Sequence, residues 1–183
     1  MHRLFFALVP PEGATPQLVR AARIALDAAG PGARATSASR YHLTLRFLGG
    51  FPALPEEVAQ AAAEAASAVH CAPFDLAIDR LGGFPGARVW WLGSSDVPGG
   101  LLDLHARLGD ALAAHGVAVD GHDGFTPHLT IVRGVRGTPP LRAIEPVAWR
   151  VDAFVLLHSS PGQGYAELGR WPLRRGAGLN RGG

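Results

Sequence analysis

The sequence predicts an α+β fold built from two related lobes, and three observations carry that prediction. A tetrad of His, apolar, Thr, apolar occurs twice, as His42-Leu43-Thr44-Leu45 and as His128-Leu129-Thr130-Ile131. The two histidines stand 86 residues apart, far beyond a solenoid period and suited to a duplicated lobe. Helical patterns alternate with hairpin patterns, which favours α+β over a doubly wound parallel sheet. No Gly-rich phosphate loop joins a strand to a helix, which argues against mononucleotide and dinucleotide folds.

In chain order, Arg3 to Val9 reads as a first core strand that Pro10-Pro11 ends. Thr15-Pro16 opens a helix, with Thr as N-cap and Pro at the first helical position, and Gly30-Pro31-Gly32 closes it. A loop rich in Ala, Ser and Arg (33–40) leads into the first tetrad strand, which Gly49-Gly50 closes. Pro55 to about Val69 is the clearest helix, with Glu56 and Glu57 in its first turn to complement the dipole. Alternation over Phe74 to Asp79 predicts a half-buried strand, Gly82 to Gly86 a turn, and Arg88 to Gly93 its hairpin partner. Leu101, Leu104, Leu108 and Leu112 mark a helix ending near His115 at Gly116. A short strand is expected at Val117 to Val119, a turn at 121–124, then the second tetrad strand. After a linker-like turn at Thr138-Pro139-Pro140, Trp149 to His158 reads as one strand with Tyr165 to Trp171 as its partner. Residues 174–183 are expected to form a flexible tail.

Successive side chains of a strand point to opposite faces. Each tetrad strand therefore puts a histidine and a threonine on one face and two apolar residues in the core. Two such faces brought together make a site with two imidazoles and two hydroxyls, which suits in-line displacement at a phosphodiester. A neutral imidazole takes a proton from the attacking oxygen, and a protonated one gives a proton to the leaving oxygen. Threonine hydroxyls, uncharged donors, can hold the non-bridging oxygens without trapping an anionic product.

Composition bounds the alternatives. The formal charge of +2 does not argue for a large nucleic-acid footprint, and all seventeen basic residues are arginine, which reads as genomic base content. Arg170, Arg174, Arg175 and Arg181 form the one cationic cluster visible in the sequence. The single Cys71 excludes an intramolecular disulfide and a cysteine-based zinc cage. No apolar run is long enough to span a bilayer, and Leu4 to Val9 is too short for a signal segment, so a soluble cytoplasmic protein without membrane association is expected. His-x-Thr supplies no third ligand of the kind zinc needs, so no metal and no cofactor is expected. Trp90 and Trp91 alternate to opposite faces; one anchors the core and the other offers a stacking surface. His158 is a further groove candidate, and His2, His70, His105, His115 and His122 read as structural.

Two tetrads in a small α+β chain resemble the 2H phosphoesterase superfamily, and within it the bacterial and archaeal RNA 2′,3′-cyclic phosphodiesterases, also called 2′-5′ RNA ligases. The resemblance extends to Leu4-Phe5-Phe6-Ala7, to Arg46-Phe47-Leu48-Gly49, to Val89-Trp90-Trp91-Leu92-Gly93, to Arg133 and to Tyr165 through Trp171, and so covers roughly residues 3 to 173. It implies one domain (1–183) of two lobes related by a pseudo-two-fold. Two antiparallel sheets would face each other across a central groove with helices outside. It also implies metal-independent opening of a terminal 2′,3′-cyclic phosphate to a 2′-phosphomonoester. His42 would be the proton donor and His128 the proton acceptor, with Thr44 and Thr130 on the phosphate. Arg133 and Phe47, each five residues after a tetrad histidine, correspond to positions that contact phosphate or stack on a base. Strict alternation would turn both away from the histidines, so either the strands bulge near Arg46 and Val132 or the side chains reach round the strand end. The expected partner is an RNA or nucleotide bearing a 2′,3′-cyclic end, met by a monomer. The rivals are the reverse joining reaction and a non-catalytic module that binds nucleotides or RNA ends.

Overall fold

Nine strands and three helices are present among residues 1–119, 124–140 and 142–174, which the computed structural model describes. They are β1 (His2–Leu8), α1 (Thr15–Ala28), β2 (Arg34–Ala35), β3 (Leu43–Phe51), α2 (Glu56–Ser67), β4 (Phe74–Phe84), β5 (Val89–Gly93), α3 (Gly99–Ala114), β6 (Leu129–Arg133), β7 (Ala143–Val151), β8 (Ala153–Ser159) and β9 (Tyr165–Pro172). All pairings are antiparallel, in the order β7-β4-β5-β6-β3-β1-β8-β9, with β2 beside β6. The α+β class stands. The two sheets expected across a groove are halves of one path, joined through a single residue pair, Leu43 opposite Leu129.

One apolar layer lies behind both halves. Leu4, Phe6 and Leu8 of β1, Leu43 and Leu45 of β3, and Leu129 and Ile131 of β6 meet Leu18 of α1, Ala62 and Ala66 of α2, and the leucines of α3. The helix after β1 packs against β6 and β7, whereas α3, the helix after β5, packs against β3. Each half is thus covered by a helix fed from the other, which ties the halves together behind their narrow junction. No helix among the described residues is long and apolar enough to cross a membrane.

Five local expectations change, the first being that Gly49-Gly50 does not close the first tetrad strand, since β3 pairs with β1 through both glycines to Phe51. Thr15 does not cap α1; Ala14 stands at the N-cap, and the Thr15 hydroxyl donates to the Pro11 carbonyl at 3.1 Å. β4 runs on through Gly82 and Gly83, because the missing side chain at Gly82 leaves the space that the Trp91 indole fills from β5. Val117 to Val119 is not a strand. The expected strand from Trp149 to His158 is two strands of opposite halves: Trp149 to Val151 are the last residues of β7 beside β4, and β8 begins after Asp152 beside β1. Pro146 hid β7 from periodicity, and the sheet accepts it because β7 is an edge strand. His122 and the tail from residue 175 onward lie outside the described residues.

Candidate active site

The single junction pair sets the site. With Leu43 opposite Leu129, the antiparallel register carried one residue either way places His42 opposite Thr130 and Thr44 opposite His128. Leu43 and Leu129 are buried in the common core, so alternation turns all four polar side chains to the other face. They line one cavity of about 330 Å³ together with Phe84, Ala87, Val89 and Arg133.

Both imidazoles are held by the same device. His42 Nδ1 donates to the Arg40 carbonyl and His128 Nδ1 to the Thr126 carbonyl, each at 2.8 Å and each two residues upstream. A carbonyl only accepts, so the proton of the neutral ring is fixed on Nδ1 and Nε2 is left for the cavity. Each ring also packs against two aromatics that touch one another. Phe5 and Tyr165 flank His42 at centroid distances of 5.0 and 5.1 Å. Phe84 and Trp91 flank His128 at 4.9 and 6.2 Å. Trp91 lies in turn under the Arg80 guanidinium, while Trp90 is in the core and donates its Nε1 to the Gly137 carbonyl.

This packing sets the electrostatics. Burial pushes the His42 imidazole below its ordinary pKa, outweighing its carbonyl bond, and the nearby His128 and Arg133 push the same way. Burial likewise lowers His128, aided by Arg133 and opposed by the bond to Thr126. Without an anion in the cavity, both rings therefore favour the neutral state.

Bulges bring the fifth residues round. Against β1, Phe6 pairs with Arg46 and Ala7 with Thr44, so Leu45 is the extra residue on β3. Against β5, Trp90 pairs with Val132 and Trp91 with Thr130, so Ile131 is the extra residue on β6. One extra residue shifts alternation by one. Phe47 consequently shares the His42 face, packed with Phe5, Ala7, Val155 and Leu157, and Arg133 shares the His128 face and lines the cavity. Of the two expectations, the bulge holds, one residue earlier than Arg46 and Val132.

The same shift turns Arg46 to the helix side, where its Nε and Nη2 donate to the His105 carbonyl at 3.1 and 2.8 Å. The His105 ring stacks on Phe125 at 3.9 Å, one residue before the Thr126 carbonyl that holds His128. Burial and Arg46 push His105 down to about 4. Sequence reasoning passed over this support for the second histidine; the i+4 position of Arg46 was its only signal. His158 is not in the cavity: its Nε2 meets Nδ1 of His2 at 2.8 Å.

The profile of the 2′-5′ RNA ligase superfamily matches residues 9–163. The chain is 32% identical over 181 residues to the RNA 2′,3′-cyclic phosphodiesterase of Escherichia coli K12, covering 94% of this chain and 97% of that protein. The crystal structure of E. coli LigT with 3′-AMP superposes with a TM-score of 0.80 at 30% identity, covering 95% of this chain and 99% of the other. The crystal structure of TT0787 of Thermus thermophilus gives a TM-score of 0.71 at 28% identity over 94% and 98%.

Proposed function

The chain belongs to the 2′-5′ RNA ligase superfamily, and from that premise we propose how it acts as an RNA 2′,3′-cyclic phosphodiesterase of the 2H type. The cyclic phosphate of an RNA 3′ end enters the cavity between His42 and His128. His128 Nε2 accepts a proton from a water molecule whose oxygen forms a bond to phosphorus. The bond from phosphorus to O3′ breaks in line with that attack, and His42 delivers its Nε2 proton to O3′. The products are a 2′-phosphomonoester and a free 3′-hydroxyl, and the two rings return to their starting states by proton exchange with solvent. Thr44 and Thr130 donate to the non-bridging oxygens, Arg133 adds a charged donor, and Phe47 offers a ring to the terminal base.

The observation that carries this reading is the paired Nδ1 bonds to upstream carbonyls, which present both Nε2 atoms to one cavity. The entering phosphodiester anion opposes the low pKa values and lets His42 hold the proton it must give. Chemistry of this kind needs no metal, and the chain works as one domain of two lobes and as a monomer. The joining reaction uses the same groups in reverse.

Turnover of a short RNA with a 2′,3′-cyclic end, in the presence of chelator and with the product phosphate located, tests the reading. A 2′-phosphate is expected. Loss of all turnover on chelation, or a 3′-phosphate product, would remove it.

A further inference from the structure

The near-neutral total charge conceals a segregation of charge in space. The sequence stretches 28–55, 80–95 and 124–144, from which the cavity-lining residues are drawn, contain no Asp or Glu and eight arginines, of which Arg133 lines the cavity. Among these, Arg34 stands directly opposite Arg133 across the β2–β6 pair. Residues directly opposite in an antiparallel pair share a face with Cβ atoms about 5 Å apart, where like charges destabilise. Among the described residues, neither guanidinium forms an ion pair or a hydrogen bond. A sheet that places two unneutralised arginines side by side is arranged for an anion.

The neighbouring geometry places Arg34 at the edge of the site. From Ala35 to Leu43 the chain advances eight residues while β6 advances three between Val132 and Leu129, so β2 and β3 share one edge of β6 with an intervening loop. β2 thus occupies the flank where the halves part. Beyond it, Arg88 and Arg136 line a second cavity of about 420 Å³ with Pro31, Gly32 and Gly134. The two cavities share no lining residue, and the second lies against Ala29 at the end of α1. Arg88 is also the one non-glycine residue at positive φ among the described residues, at 54°, a conformation that needs support from its surroundings. Its carbonyl accepts from the Gly134 and Val135 amides at 2.9 and 3.2 Å, which supply it.

We propose that Arg34, beside Arg133, forms a second phosphate subsite that holds the phosphodiester 5′ to the terminal nucleotide. An oligonucleotide makes this second contact, and a free cyclic mononucleotide, which has no such phosphate, does not. This rests on the cyclic phosphodiesterase reading and specifies the same site further. Arg133 serves the phosphate in the cavity, and Arg34, next to it but outside the cavity lining, serves the next one along the chain.

The test compares a 2′,3′-cyclic mononucleotide with a trinucleotide carrying the same cyclic end, using the full chain and its Arg34→Gln and Arg34→Lys variants. The wild type should show kcat/KM at least about tenfold higher on the trinucleotide, and Arg34→Gln should remove most of that advantage, largely through KM. The wild-type advantage should also fall between 50 and 200 mM salt, with a log–log slope about 0.7 shallower for each phosphate contact removed. Arg34→Lys, which keeps the charge, should recover part of the loss. Equal wild-type kcat/KM on the two substrates, or an equal loss on both in Arg34→Gln, would overturn the proposal. Anisotropy of a labelled trinucleotide ending in a 2′-phosphate gives a readout that needs no turnover. Weaker binding by Arg34→Gln supports the subsite even if neither cyclic substrate is cleaved, an outcome that would defeat only the phosphodiesterase reading. Unchanged binding overturns the subsite.

Discussion

The half built on β3 and the half built on β6 hold their histidines in the same way and differ in the fourth and fifth residues beyond them. In both, Nδ1 is bound to the carbonyl two residues back, two aromatics flank the ring, and a bulge three residues after the histidine returns the fifth residue to the cavity face. That fifth residue is Phe47 in one half and Arg133 in the other. The residue before it is Arg46, tied to α3, in one half and Val132, buried in the core, in the other. Backbone geometry poses two equivalent imidazoles, and the side chains at these two positions make their surroundings unequal. Even two identical rings facing one another would release their protons in two steps, and the unequal surroundings bear on which ring gives up its proton first.

The strongest way to break the comparison is to remove one ring at a time. His42→Ala and His128→Ala should each lower kcat by about 10² to 10⁴-fold, and the double variant should lose little more than either single one, since the rings act as a unit. Full activity in one single variant would mean that only one half is catalytic. Thr44→Val and Thr130→Val should each cost roughly tenfold, and by similar amounts, because each hydroxyl stands opposite the other half's histidine. A large inequality between them would show that the pseudo-symmetry stops at the backbone.

Arg133 is where the halves diverge in charge, so its effect should appear in the pH profile. The base limb rises as His128 loses its proton, and the acid limb falls as His42 loses its own. Both rings lie below the ordinary 6.5, so kcat/KM, which reports the free enzyme, should peak below about pH 6.5, while kcat should peak higher because bound phosphate raises both values. Arg133→Gln removes a charge that lowers both rings, so both limbs of kcat/KM should move to higher pH as the rate drops several-fold. A profile that stays in place would separate Arg133 from the histidines.

Structural supports should come last in size. Gly82→Ala puts a methyl group into the Trp91 indole that packs beside His128, and a stability loss of about 1 to 3 kcal/mol is expected in a denaturant titration. Arg46→Ala frees the His105 carbonyl and loosens Phe125, so a few-fold loss in kcat with KM unchanged is expected from steady-state kinetics. A KM effect there would point to substrate contact instead of positioning.

Much of the site was legible in the sequence because the tetrads are local patterns. His42, Thr44, His128 and Thr130 were found from spacing alone, and alternation gave their shared face. The position of Arg133 was only half legible: its distance from His128 was plain, but the extra residue at Ile131 leaves no mark in the pattern of apolar residues. Arg34 was read as part of a loop, since its two-residue strand is too short for periodicity to register. β7 was missed because Pro146 interrupts it, and a proline is tolerated only where the neighbouring strand is absent, which sequence does not state.

Two strands, each with an apolar back, an imidazole and a hydroxyl, follow from the order of amino acids alone, and with them the class of chemistry. These arise from a two-residue repeat that any extended chain must obey. Only the tertiary structure decided that Leu43 meets Leu129, that the bulges bring Phe47 and Arg133 round, and that Arg34 lies beside Arg133. Such pairings join residues far apart in the chain, and their register is set by the whole core closing behind them, not by the neighbours of either residue.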